Sequence, residues 1–187
     1  MAGPSGVGKG SILTELRRRY PMMVYSVSVT TRAPRSGEVD GVAYHFITTE
    51  QFEQLIADDE LLEWANYTGT YYGTPRQFVM DALSVGQVVL LEIDLAGARQ
   101  IRQNYPQAIF VFVAPPSWTE LERRLRDRGS DSEEQMQARL AKAKLEVAAE
   151  NEFDHVIVND NLLLAVDDLV DYLGSALCGR RNNEYNN

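Results

Sequence analysis

The stretch Gly3-Pro-Ser-Gly-Val-Gly8-Lys9, followed at once by a helix-patterned segment, constrains this chain more than any other feature. Its glycines let successive backbone N–H groups turn inward, where a Cβ would obstruct them, and so form a nest for an anion. The helix that starts at the loop, read over 8–19 with Ile12, Leu13 and Leu16 on one face, adds its positive end. Lys9, at the spacing G-x-x-x-x-G-K, supplies a point charge suited to the β and γ phosphates of a nucleotide. A chance glycine turn is the rival, but lysine after the last glycine and helix after the lysine argue against it.

Two departures stand out. The hydroxyl residue that usually follows the lysine and meets Mg2+ is Gly10 here, with Ser11 one place later as the candidate metal ligand. The motif also normally follows a buried strand, whereas only Met1-Ala2 precede it. Either the chain is shortened at its amino end or another segment fills that place in the sheet. An unfilled place leaves unpaired ladder groups at about 1–3 kcal/mol each, so the expectation is poor folding or impaired activity.

Downstream, the pattern is that of an α/β protein. Residues 24–30 alternate as a strand, with Tyr25, Val27 and Val29 opposite Ser26, Ser28 and Thr30. "VAYHFI" reads as a short strand, Thr48 with Gln51 as a capping box, and "LLEWANYTGTYYGT" as antiparallel strands broken by glycine. Thr74-Pro75 starts a helix leading to Leu83. "VVLLEIDL", "AIFVFVA" and "HVIVN" are continuous apolar runs, the mark of parallel strands covered on both faces. Helices are expected through Ile101, over 118–127, over 132–153 and over 162–177, and the tail 179–187 reads as disordered.

Composition narrows the function classes. A net charge of −9 argues against general nucleic-acid binding, and no apolar run is long enough for a membrane-spanning helix. The single Cys178 offers no internal disulfide and suggests a reducing, cytoplasmic setting, and two histidines make a zinc site poor in ligands. Arginines outnumber lysines, which a GC-biased genome explains as well as function does. One of the few lysines nevertheless sits in the loop.

The blocks "GPSGVGKGS", "SVSVTTRAPRSGEVDGVAYHF", "LLEWANYTGTYYGTP", "LLEIDLAGARQIR", "FVFVAPPSWTELERRLRDRGSDSEE" and "VIVND" resemble, in order and spacing, those of bacterial single-domain guanylate kinases, from Ala2 to about Tyr172. The resemblance implies a P-loop kinase three-layer α/β fold with a parallel sheet core, a mixed GMP-binding insertion and a helical lid. Its parts would be a core of about 1–27, 79–116 and 149–178, a GMP-binding subdomain of about 28–78 and a lid of about 117–148. The implied reaction is phosphoryl transfer from ATP to GMP, and dGMP as well, with Mg2+, in purine nucleotide metabolism. Both partners are small nucleotides.

The resemblance also implies roles. Gly3, Pro4, Ser5, Gly6, Val7, Gly8, Lys9, Gly10 and Ser11 would hold ATP, with Asn159 on its adenine side. Arg32, Arg35, Tyr44 and Tyr72 would hold the GMP phosphate; a forked guanidinium suits that task, and a solvated basic turn is the bland alternative. Glu63 would read the guanine edge, whose N1–H and N2–H donors a carboxylate accepts, while adenine's N1 acceptor is repelled. Ser28 and Thr74 would add hydroxyl contacts, though Thr74 is equally an N-cap before Pro75. Asp94, two residues after Glu92 at the end of a buried strand, would lie toward the acceptor base and the metal; an ordinary strand-end acid is its rival. Lid arginines Arg124, Arg128 and Arg139, with Lys9 and Arg32, would be catalytic, whereas Arg123 and Arg126 read as solvated. A catalytically dead interaction module and a P-loop kinase for another acceptor are the competing classes. The retained Lys9, Arg32, Arg35 and lid arginines weigh against the first, and Glu63 with the tyrosines against the second.

Overall fold

A computed structural model describes residues 1–67, 69–127 and 133–184, with side chains as far as 178. Its elements are α1 (Lys9–Arg19), β1 (Val24–Tyr25), β2 (Val29–Thr30), β3 (His45–Phe46), α2 (Thr49–Ala57), β4 (Leu61–Tyr67) and β5 (Thr70–Pro75). There follow α3 (Arg76–Ser84), β6 (Val89–Leu90), α4 (Leu95–Asn104), β7 (Val111–Ala114), α5 (Trp118–Arg126), α6 (Glu133–Ala148), β8 (His155–Val158) and α7 (Leu162–Glu184). The chain divides into two compact units. One comprises Met1–Ala2 and Tyr20–Ile109, the other Gly3–Arg19 and Phe110–Asn187.

The first unit carries a mixed sheet in the order β3-β2-β5-β4 and a parallel pair, β1 with β6. The β4–β5 hairpin pairs Glu63 with Thr74 and Ala65 with Tyr72, so these four side chains belong to one face. Its turn is helped by Asn66, whose Oδ1 accepts the Gly69 N–H at 2.9 Å. Behind the sheet, Phe52 of α2 is fully buried against Val29 and Leu61 and stacks on Tyr71 at 5.0 Å. The capping box forms as expected: Thr48 Oγ1 accepts the Gln51 N–H, and Gln51 Oε1 accepts the Thr48 N–H.

The single strand expected over 24–30 is two. Val24 and Tyr25 pair in parallel with Val89 and Leu90, whereas Val29 and Thr30 pair with Gly73 and Tyr72 in the other sheet. A segment that changes sheets is covered differently along its length. Ser26 and Thr30 are therefore buried while Tyr25 and Val27 are only half so. The apolar run at 88–95 is likewise shorter as a strand than expected. Past Leu90 its ladder is continued by Met1, whose N–H donates to the Leu91 carbonyl at 2.8 Å and whose carbonyl accepts the Ile93 N–H at 3.1 Å. Met1 and Ala2 are both buried.

The second unit holds the other parallel pair, β7 with β8, registered Val111 to His155 through Ala114 to Val158. All four residues of β7 are buried, as an apolar run without alternation requires. Val7, Ile12, Leu16, Phe112, Leu121, Leu125, Ile157 and Leu169 form its core. Ser117 caps α5 by accepting the Glu120 N–H, and Arg17, Arg18 and Arg19 close the carbonyl end of α1. The last helix runs to Glu184, past the expected end at Leu177 and into the tail read as disordered; 185–187 lie outside the described residues. Among the described residues no helix is long and apolar enough to cross a membrane.

Candidate functional site

In the second unit the loop is shaped by close approaches that only glycine permits. Gly3 has φ 147°, and a methyl there would overlap the carbonyl oxygen of Val113. Gly8, at φ 98°, passes so near Asn159 that a methyl would overlap Nδ2. Asn159 is 7% exposed, and its Nδ2 donates to the Val7 carbonyl at 2.8 Å. Its own N–H extends the β7–β8 pairing by donating to Ala114 at 2.9 Å, and its carbonyl accepts from Arg124 Nη1 at 3.0 Å. A loop carbonyl is thus tied outward, which leaves the neighbouring amides free to face an anion. This contact gives Asn159 a loop-fixing part beside the adenine-side role that the resemblance implies, since a side-chain amide has a second N–H and an oxygen. Lys9 reaches back across the loop, with Nζ donating to the Gly3 carbonyl at 2.7 Å and to that of Pro4 at 3.3 Å. Pro4 and Val7 are buried, while Ser5, Gly10 and Ser11 are exposed.

Helix α5 separates its arginines as the sequence suggested. Arg123 and Arg126 face solvent and pair with Glu120, Asp127 and Glu122 of their own helix. Arg124 turns inward, held by Glu120 Oε1 at 2.7 Å. Arg139 is half-buried on α6, and Arg128 lies outside the described residues.

The first unit gathers the residues expected around an acceptor. The Arg32 guanidinium forks onto Glu38, Nη1 to Oε2 at 2.6 Å and Nη2 to Oε1 at 2.7 Å. It lies 4.9 Å from the ring centre of Tyr44, which meets Tyr72 edge-on at 6.0 Å. Glu38 also accepts the backbone N–H of Arg35 at 2.8 Å, while the Arg35 side chain is exposed. Arg32 above all holds the Glu38 carboxyl down to about 2, and burial pushes the Tyr44 hydroxyl up. Glu38 is absent from the sequence reading because it reaches Arg32 through an irregular turn that carries no period.

Glu63 is 7% exposed on β4. The Thr74 hydroxyl donates to its Oε1 at 2.5 Å, and burial, with Asp94 adding, pushes its carboxyl up to about 7 despite that bond. Thr74 therefore does not cap α3; Pro75 precedes that helix with no side-chain cap. Asp94 caps α4 instead, with Oδ1 accepting the Gly97 N–H at 2.8 Å. Glu92 and Asp94 lie beyond the end of β6 at Leu90, in the stretch whose ladder Met1 continues. Ser28, half-buried just before β2, accepts the His45 N–H at its carbonyl at 2.9 Å.

A glycine cradle with its lysine, leading into a helix and set among parallel strands, defines a P-loop kinase fold. The guanylate kinase family model matches residues 1–176. The chain is 59% identical to the guanylate kinase of Synechococcus sp. (strain JA-3-3Ab) over 169 residues, 90% of this chain and 78% of that protein. It is 55% identical to the guanylate kinase of Thermobifida fusca (strain YX) over 170 residues, 91% of this chain and 87% of that one. Its fold is similar to the crystal structure of guanylate kinase from Anaplasma phagocytophilum, with a TM-score of 0.76 and 33% identity over 93% of this chain and 82% of the other. The chain belongs to the guanylate kinase family, enzymes that phosphorylate GMP.

Proposed function

We propose that this chain transfers the γ-phosphoryl group of ATP to GMP, and to dGMP, giving ADP and the nucleoside diphosphate. The observation that supports the acceptor most strongly is Glu63, a buried carboxylate with one oxygen on Thr74 and an environment that disfavours its ionisation. A partner offering two N–H donors, as guanine does, relieves that cost, whereas adenine's bare N1 does not. Arg32, Arg35, Tyr44 and Tyr72 grip the acceptor phosphate, with Ser28 and Asp94 at the margins of the nucleoside. Glu38 keeps Arg32 extended before the phosphate arrives.

On the donor side, residues Gly3 through Ser11 wrap the phosphates with their amides. Lys9 exchanges its loop carbonyls for phosphate oxygens and neutralises charge as it moves to the transferring group. Arg124, Arg128 and Arg139 supply further positive charge and exclude water, which would otherwise take the phosphoryl group. Among the described residues no cluster of three acidic, histidine or cysteine side chains could hold a metal. Mg2+ that arrives with a triphosphate is held chiefly by phosphate oxygens and water, with few ligands from the protein. The exposed Ser11 is suited to provide one. The ion, when bound, would screen phosphate charge.

The test is an ADP-release assay with GMP, dGMP, AMP or no acceptor. Rapid turnover with the guanine nucleotides alone is expected, and equal rates with AMP would defeat the guanine assignment.

A further inference from the structure

The approach of Gly97 to Glu63 lies outside every role considered so far. Gly97 is buried in the first turn of α4, and a methyl on it would overlap Glu63 Oε2 outright and stand 2.9 Å from Cδ. The other carboxylate oxygen, Oε1, is already held by the Thr74 hydroxyl at 2.5 Å. The carboxylate is therefore seated between a hydroxyl on β5 and a bare Cα on α4. Neither support has room to retreat. Asp94 pins the Gly97 N–H at 2.8 Å. One turn further along α4, the Gln100 amide takes both backbone groups of Trp64, accepting its N–H at 3.1 Å and donating to its carbonyl at 2.8 Å. Trp64 is the residue next to Glu63, so the helix is fastened to the strand beside the carboxylate. The freest atoms near an added methyl are those of the Glu63 side chain.

We propose that Gly97 is a positioning residue for base selection, its missing side chain being what lets Glu63 hold the place from which it meets a guanine edge. This rests on the reading of Glu63 as the guanine acceptor. The backbone itself does not demand glycine here. Gly97 has no positive φ, and a helix ordinarily prefers alanine to glycine. The constraint is a steric one, directed at a single side chain.

The experiment is a cycle of Gly97→Ala, Glu63→Gln and the double variant, with KM for GMP and for ATP, kcat at saturating GMP, the GMP-over-AMP preference and the melting temperature measured for each. In the otherwise unaltered protein, Gly97→Ala should raise KM for GMP on the order of tenfold to a hundredfold by displacing a carboxylate from its hydrogen-bonding place. KM for ATP and the melting temperature should stay near those of the parent. Placed on Glu63→Gln, the same change should add less than about twofold, because residues acting through one contact are not additive. Losses that simply multiply would overturn the proposal, as would a collapse of melting temperature in Gly97→Ala, which would give the glycine a packing role. Unchanged GMP binding in Gly97→Ala, in a protein where Glu63→Gln does lose the preference, would defeat this proposal and leave the guanine reading standing. If Glu63→Gln keeps the full preference for GMP, the guanine reading falls, and the role of Gly97 with it.

Discussion

Replacing Glu63 by glutamine should make the protein more stable at alkaline pH while weakening its hold on GMP. The carboxyl is buried and pushed from 4.5 up to about 7. A group whose folded value is raised gives stability that is fully present below the unfolded value and lost as pH rises through the folded one. The affected window therefore runs from 4.5 to about 7. At about 1.4 kcal/mol per pH unit, ionising Glu63 in its buried seat costs about 3 kcal/mol once the window is crossed. Glutamine has nearly the same shape, can still accept from Thr74, and does not titrate. The difference in unfolding free energy between variant and parent should accordingly grow in the variant's favour by about 3 kcal/mol between acid and alkaline conditions. Urea unfolding of both proteins at several pH values measures it, and an NMR titration of the Glu63 carboxyl carbon locates the proton directly. Binding runs the other way. Guanine needs the ionised form, so KM for GMP in the parent should rise by up to about tenfold for each pH unit below about 7 and should lose that dependence in the variant. Parallel stability curves, or a carboxyl that titrates near its ordinary value, would refute the reasoning.

Lys9→Met should lower kcat on the order of a hundredfold or more, since the shifting phosphate charge loses its counter-ion; a kcat near that of the parent would remove Lys9 from the chemistry. Asn159→Asp keeps the side chain's shape but sets a carboxylate oxygen against the Val7 carbonyl, at a cost of about 1–3 kcal/mol. KM should then rise by a similar factor for ATP and for ITP, because the loop rather than the base is disturbed, and a loss confined to ATP would instead show Asn159 acting in base recognition.

Features set by neighbours in sequence were legible. The Thr48–Gln51 box and the β4–β5 hairpin each follow from spacings of a few residues, whereas the outward Arg123 and inward Arg124 of α5 were told apart by the family resemblance. The glycine loop was recognisable because its residue types are dictated by the anion. What stayed hidden depends on partners far along the chain. Nothing between residues 24 and 30 records that its two halves join different sheets. The Thr74 hydroxyl looked free to cap a helix until its cross-strand neighbour proved to be Glu63. Gly97 resembles any small residue on a helix face, and only the placement of α4 against β4 reveals what its side chain would strike.

The bond between Asn159 and Val7 spans 152 positions. The cradle at the front of the chain is thus finished by a residue the ribosome adds near the back. During synthesis the first segment emerges without the amide that turns its carbonyl aside, so a nascent chain halted before Asn159 should have little grip on triphosphate. Nucleotide affinity would then arise only once Asn159 is in place, late in synthesis.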